Sequence, residues 1–146
     1  MGWFRKILGR NTSERFDGRK VIGDSEDFRS RHNRIRKAGT VGGKHFTDYV
    51  EQVKQLKREN RNEAAKDLLI KLVQATEDEA KETGGKWGVA PWYYEQLAII
   101  YRKEKQYTDE VAVLERYQSQ PKALSTGPIK LAKRLEKARE LLDGQS

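Results

Sequence analysis

YYEQLAIIYRKEKQYTDEVAVLERY, from Tyr93 to Tyr117, decides how the rest of the chain is read. Tyr94, Leu97, Ala98 and Tyr101 recur at the spacing that lines one face of an α-helix. Lys105-Gln106 then breaks the pattern as a tight turn. Thr108 can cap a second helix, whose inner face is Val111, Leu114 and Tyr117. Pro91 suits the first turn of the leading helix, and Pro121 stops the following one. The stretch reads as two antiparallel helices joined by a short turn.

The same reading extends upstream. Thr47 is a good N-cap, and Tyr49, Val53 and Leu56 form one face of a helix to about Glu59. Asn60-Arg61-Asn62 is a turn. A long helix then runs from about Glu63 to Lys81, with Ala64, Leu68, Leu69, Leu72, Val73 and Ala75 as its apolar stripe. Gly84 and Gly85 end it. Glu77, Asp78, Glu79 and Glu82 crowd its last turns, where the helix dipole disfavours them. The acid pairs Glu77/Asp78 and Asp109/Glu110 read as helix-surface charge.

Downstream, residues 122–127 form a loop and Pro128 opens a last helix. Leu131, Leu135, Ala138 and Leu142 line that helix, and its other faces are charged. It reads as a closing helix with one wet side, ended at Asp143-Gly144. At the other end, residues 1–9 suggest a short helix with Trp3, Phe4, Ile7 and Leu8 on one face. Residues 10–24, broken by Gly18 and Gly23, read as loop. Ser25 caps a helix over 26–37 anchored by Phe28, Ile35 and Ala38, and Gly39, Gly42 and Gly43 form a flexible joint.

The two helix pairs match each other. Tyr49, Val53, Leu56 and Ala65 lie over Tyr94, Ala98, Tyr101 and roughly Val111, with an offset of 45 between the first helices. This order of aromatic, small, large and small residues resembles the tetratricopeptide repeat over residues 46–120, about half the chain. Leu97, Ala98, Tyr101, Tyr107 and Val111 carry the match best. The usual unit is about 34 residues; the longer offset comes from an extended helix and an insertion at 80–90. The string WGVAPWYYEQLAIIYRK is also loosely similar to helical tails of bacterial proteins that carry a HIRAN domain.

The resemblance implies an all-α domain over 45–144, built of tetratricopeptide-like antiparallel helix pairs and sealed by the closing helix. It also implies a concave groove lined by the first helices. Lys54, Lys57 and Arg58 would face it from one pair, and Trp92, Ile99, Arg102 and Lys103 from the next. Such a basic groove suits an acidic peptide or a C-terminal carboxylate, held bidentately by Arg and by Lys as a point charge. Tyr94 and Tyr101 are expected in the core, and Trp87 and Trp92 at the surface.

Composition sets the remaining bounds. The 146 residues are 36% hydrophobic and 36% charged, so a core cannot draw on every segment. The net charge is +8, of which residues 1–44 hold +7. The expectation is a basic, partly disordered N-terminal arm over 1–44, with Arg29, Arg31, Arg34, Arg36 and Lys37 as its densest stretch. Such an arm suits nucleic acid through phosphate neutralisation. It also suits a protein partner, or an anionic membrane through its apolar start. Self-association of the repeats is a further reading.

Little points to catalysis. The only histidines are His32 and His45, and there is no cysteine, phosphate loop or GxGxxG. The reading is a non-enzyme with no cofactor and no metal. No apolar run approaches the roughly 18 residues of a membrane helix. The start MGWFRKILGR lacks a signal-peptide pattern, and Lys6 stands where a myristoylation motif needs Ser or Thr. A cytoplasmic location is expected.

Overall fold

The computed structural model describes the backbone of residues 18–145 and the side chains of residues 27–145. The expected helix at 1–9 and the first part of the loop at 10–24 lie outside the described residues. The chain divides into two units between Arg34 and Ile35. In the first, helix α1 (Gly18–Ala38, continuing past the division) begins well before Ser25. The loop expected up to residue 24 is therefore helical from Gly18, since isolated glycines weaken a helix without forbidding it. Phe28, expected as an anchor, is 72% exposed. It stacks on His32 with ring centroids 6.5 Å apart.

The second unit is mostly helical. Its chain begins with a small antiparallel hairpin, β1 (Thr40–Val41) and β2 (Lys44–His45). Gly42 and Gly43, with φ of 56° and 87°, make the turn between them. Two successive positive φ angles match the right-handed twist of paired strands, and glycine takes them without strain. The expected flexible joint is therefore a defined hairpin. His45, and not Thr47, caps the 3-10 turn that follows (Phe46–Tyr49); its ring nitrogen accepts from the Thr47 amide. The Tyr49 hydroxyl donates to the Val41 carbonyl and ties the turn to the hairpin.

Five helices follow: α2 (Val50–Arg58), α3 (Asn62–Glu82), α4 (Pro91–Lys103), α5 (Tyr107–Gln118) and α6 (Gly127–Asp143). Each packs on the next in the chain, and α4 also packs on α6. One continuous core runs through them. It includes Val53 and Leu56, Leu69, Leu72 and Val73, Tyr94 and Leu97, Leu114 and Tyr117, then Leu131 and Leu135. These are the stripes that the periodicity marks. Tyr101 is only half-buried, whereas Tyr93 is buried and donates to the Phe46 carbonyl at 3.1 Å.

The turns α2–α3 and α4–α5 are the same turn used twice. In the first, Arg61 N–H donates to Leu56 O and Asn60 N–H to Lys57 O. In the second, Gln106 N–H donates to Tyr101 O and Lys105 N–H to Arg102 O. This is the paired bonding that closes a helix through one left-handed residue. Those residues are Asn60 (φ 56°) and Lys105 (φ 58°). The turns sit 45 residues apart, and carrying that offset forward aligns Ala65 with Glu110, because Ala65 N–H bonds Arg61 O and Glu110 N–H bonds Gln106 O. The earlier match of Ala65 to Val111 is one residue out. The helix starts also shift: α5 opens at Tyr107 after Gln106, and Thr108 is not its cap.

The connectors α3–α4 and α5–α6 touch. Val89 N–H donates to Pro121 O at 2.9 Å, and a Cβ on Gly88 would lie 2.1 Å from the Ala123 nitrogen. Any side chain at Gly88 would force the two strands of chain apart. No helix among the described residues is long and apolar enough to cross a membrane.

Two outcomes follow from this packing. Lysine in a left-handed conformation is strained by about 1 kcal/mol that glycine would not carry. Lys105→Gly should therefore raise the thermal midpoint by a few degrees, measured by circular dichroism. Burial drives the Tyr93 phenol up to about 12, with Asp48 adding to it. Burial likewise raises Tyr94, Tyr101 and Tyr117. A raised phenol stabilises the fold fully below its ordinary value of 10.0 and loses that contribution as pH climbs through its folded value. Phenolate absorbance should thus lag between pH 10 and 12 and rise together with loss of helical signal; a smooth titration near 10 with the helices intact would contradict the burial of these rings.

Candidate functional site: a basic face across three helices

The free face of α4 is built from Trp92, Gln96, Ile99 and Lys103, spaced 4, 3 and 4 apart, which a helix stacks into one stripe. The opposite side of α4 is occupied by Tyr94, Leu97 and Ala98 in the core. Trp92, Gln96 and Ile99 are half-buried and Lys103 is exposed. α2 and α6 flank the stripe. From α2, Lys57 Nζ donates to Gln96 Oε1. From α6, Lys130 Nζ pairs with Glu95 at 3.0 Å. Lys103 Nζ reaches Asn60 Oδ1 in the α2–α3 turn at 3.3 Å.

Beneath the face lies Glu110, which has no exposed surface. Arg102 grips it with two bonds, Nε to Oε1 at 3.0 Å and Nη2 to Oε2 at 2.8 Å. Arg134 adds Nη1 to Oε2 at 3.2 Å, and Arg102 also donates to the Arg134 carbonyl at 3.1 Å. The cluster joins α4, α5 and α6. Burial, opposed by Glu95 and reinforced by the positive Lys103 and Arg134, holds the Lys57 ammonium below its ordinary value. Lys57 is thus a half-buried cation that feels one carboxylate, Glu95, and two cations, Lys103 and Arg134.

The residues expected in the groove separate accordingly. Lys57, Trp92, Ile99 and Lys103 come together. Lys54 and Arg58 turn back along their own helix, to Glu51 at 3.5 Å and to Gln55 at 2.6 Å. Arg102 belongs to the structural cluster, so its charge is already spent on Glu110. Gln96, Glu95, Lys130 and Arg134 were not anticipated. The i, i+4 spacing of Lys130 and Arg134 was readable, but only α6 treated as a third first-helix would have aimed them here. On α1, Arg29, Arg31, Arg34, Arg36 and Lys37 are all exposed.

One acid of each pair read as surface charge is structural. Glu77 is buried and accepts from Nε and Nη2 of Arg116, at 2.7 and 2.8 Å, and from the Tyr94 hydroxyl at 2.7 Å. Glu110 is described above. Glu79 accepts from His45, whose other nitrogen bonds Thr47 Oγ1 at 2.8 Å. Of the acids crowding the end of α3, Glu77 and Glu79 are therefore cross-links to other elements, which offsets their unfavourable place on the helix dipole. A shallow cavity of about 230 Å³ between α3 and α5 is lined by Ile70, Leu97, Tyr101 and Val113 among others. Its one basic residue, Arg116, is neutralised by Glu77.

No protein-family model, curated protein or solved structure matches this chain.

Removing the buried carboxylate would strand two guanidiniums. Glu110→Ala should destabilise the fold by roughly 3–5 kcal/mol, read from urea denaturation, whereas Lys103→Met should cost little. Equal, small effects would mean that the cluster is not buried as described.

Proposed function

We propose that this chain is a non-catalytic, tetratricopeptide-like scaffold that binds another protein through the basic face of α2, α4 and α6. Support for the repeat comes from two antiparallel helix pairs with one turn geometry at an offset of 45, followed by α6 packed on both helices of the second pair. The observation that carries the binding reading is the pairing of Lys57 and Lys103. Both lysines bond to neutral amide oxygens across the α2–α4 seam, and neither has a carboxylate partner among the described residues. Half-buried Trp92 and Ile99 beside them supply apolar contact area, and such aromatics anchor interfaces well. An acidic segment laid along α4 would meet positive charge from both flanks.

A second reading has one observation in its favour. The five cations Arg29, Arg31, Arg34, Arg36 and Lys37 are exposed on α1, and none pairs with a carboxylate among the described residues. That suits nucleic acid, whose phosphates release counterions when arginine neutralises them.

One experiment separates the two. The full chain and a Lys57→Glu/Lys103→Glu variant are immobilised in lysate of the source cells, with and without nuclease. A protein retained by the wild type despite nuclease, and lost by the folded variant, is the expected result. Capture that nuclease abolishes and the variant retains would replace the protein-binding reading with the nucleic-acid one.

A further inference from the structure

We propose that the basic face is selective for a phosphate monoester, a phosphorylated side chain of the protein partner, seated between Lys57, Lys103 and Arg134. This deepens the protein-binding reading above and rests on it. Lys57, Arg102, Lys103, Lys130 and Arg134 face two carboxylates, Glu95 and Glu110, and both of those are already engaged, by Lys130 and by the two arginines. Three positive charges are left over. They are not spread along a solvated helix but come from α2, α4 and α6. Lys103 and Arg134 both act electrostatically on the half-buried Lys57.

The chemistry of the donors points the same way. A carboxylate brings one negative charge in a plane and meets two donors well. A phosphate monoester brings about −1.5 to −2 charges and three acceptor oxygens arranged tetrahedrally. Donors arriving from three helices suit the second shape. Arg134 makes one bond to Glu110 through Nη1, which leaves other guanidinium N–H groups to donate. Gln96 and Asn60 use their amide oxygens to hold the lysines, so the NH₂ group of each stays a neutral donor beside the lysine it holds. Ile99, between Gln96 and Lys103 in the stripe, gives the peptide next to the phosphate an apolar surface.

The test uses the full chain and a short neutral peptide carrying one phosphoserine. Controls are the same peptide with glutamate in that position, hexaglutamate, and inorganic phosphate, all at one ionic strength and measured by calorimetry. The phosphopeptide should bind at least about tenfold more tightly than its glutamate form, equivalent to about 1.4 kcal/mol. Its affinity should rise between pH 5 and 7 as the second phosphate proton, with a pKa of about 6, leaves. The glutamate form, which sees the same Lys57, Lys103, Lys130, Arg102, Arg134 and Glu95, should not follow that rise. Lys103→Met should remove most of the preference without lowering the thermal midpoint, and Lys57→Met should do the same wherever its midpoint is unchanged. Equal binding of the phospho and glutamate peptides overturns the proposal, as does inorganic phosphate binding as tightly as the phosphopeptide. If hexaglutamate binds through Lys57 and Lys103 while phosphorylation adds nothing, the phosphate inference falls and the basic-face reading stands. If no probe binds, both fall.

Discussion

A carboxylate sealed from water must be neutralised where it lies, and at Glu110 two arginines from different helices do so. An unpaired buried charge costs several kcal/mol, so this carboxylate sets the relative positions of α4, α5 and α6 more strictly than apolar packing could. Apolar side chains tolerate sliding by a fraction of a turn; a two-bonded guanidinium does not. Glu77, Arg116 and Tyr94 repeat the device between α3, α4 and α5. Lys66 extends it to the turn end of the unit. It is buried and pairs with Glu63 and Glu104, each at 2.7 Å. Burial works to lower the Lys66 ammonium, but its hydrogen bonds to those two carboxylates prevail and raise it to about 12.

The basic face is a by-product of this arrangement. Because Arg102 and Arg134 share one carboxylate, the layer under α4 is already positive before Lys57 and Lys103 are considered. Lys57 and Lys103 then bond across the seam to amides. An amide oxygen fixes an ammonium in place without cancelling its charge. The seam is held together while the surface above it stays short of negative charge, which is what a site for an acidic partner requires.

The helices were legible because their apolar residues recur at helical spacing: Tyr94, Leu97 and Ala98, or Leu131, Leu135 and Ala138, could be assigned to one buried face each. The turn at Lys105-Gln106 and the stop at Gly84 and Gly85 were legible for the same local reason. What was not legible depends on partners distant in sequence. Glu110 looks like any surface acid of a first helical turn until Arg134 is brought to it from 24 residues away. Arg102 looked like a groove ligand because its spacing suited the groove, while its partner was hidden. Thr47 had the right chemistry for a cap, but His45 beside it took the role. The loop drawn to residue 24 trusted Gly18 and Gly23 as breakers, and α1 runs through both.

Glu110 stands where the first pair has Ala65. That single difference has a consequence for the order of assembly. Alanine at that position needs no partner, but buried Lys66 and Glu77 elsewhere on α3 take theirs from Glu104 after α4 and from Arg116 on α5. The second pair likewise depends on a later helix. Arg102 bonds both oxygens of Glu110, and Arg134 adds a third bond only once α6 is in place. On a ribosome, neither pair is complete when it emerges: the charges of α3 wait for α4 and α5, and Glu110 waits for the last helix to bring Arg134.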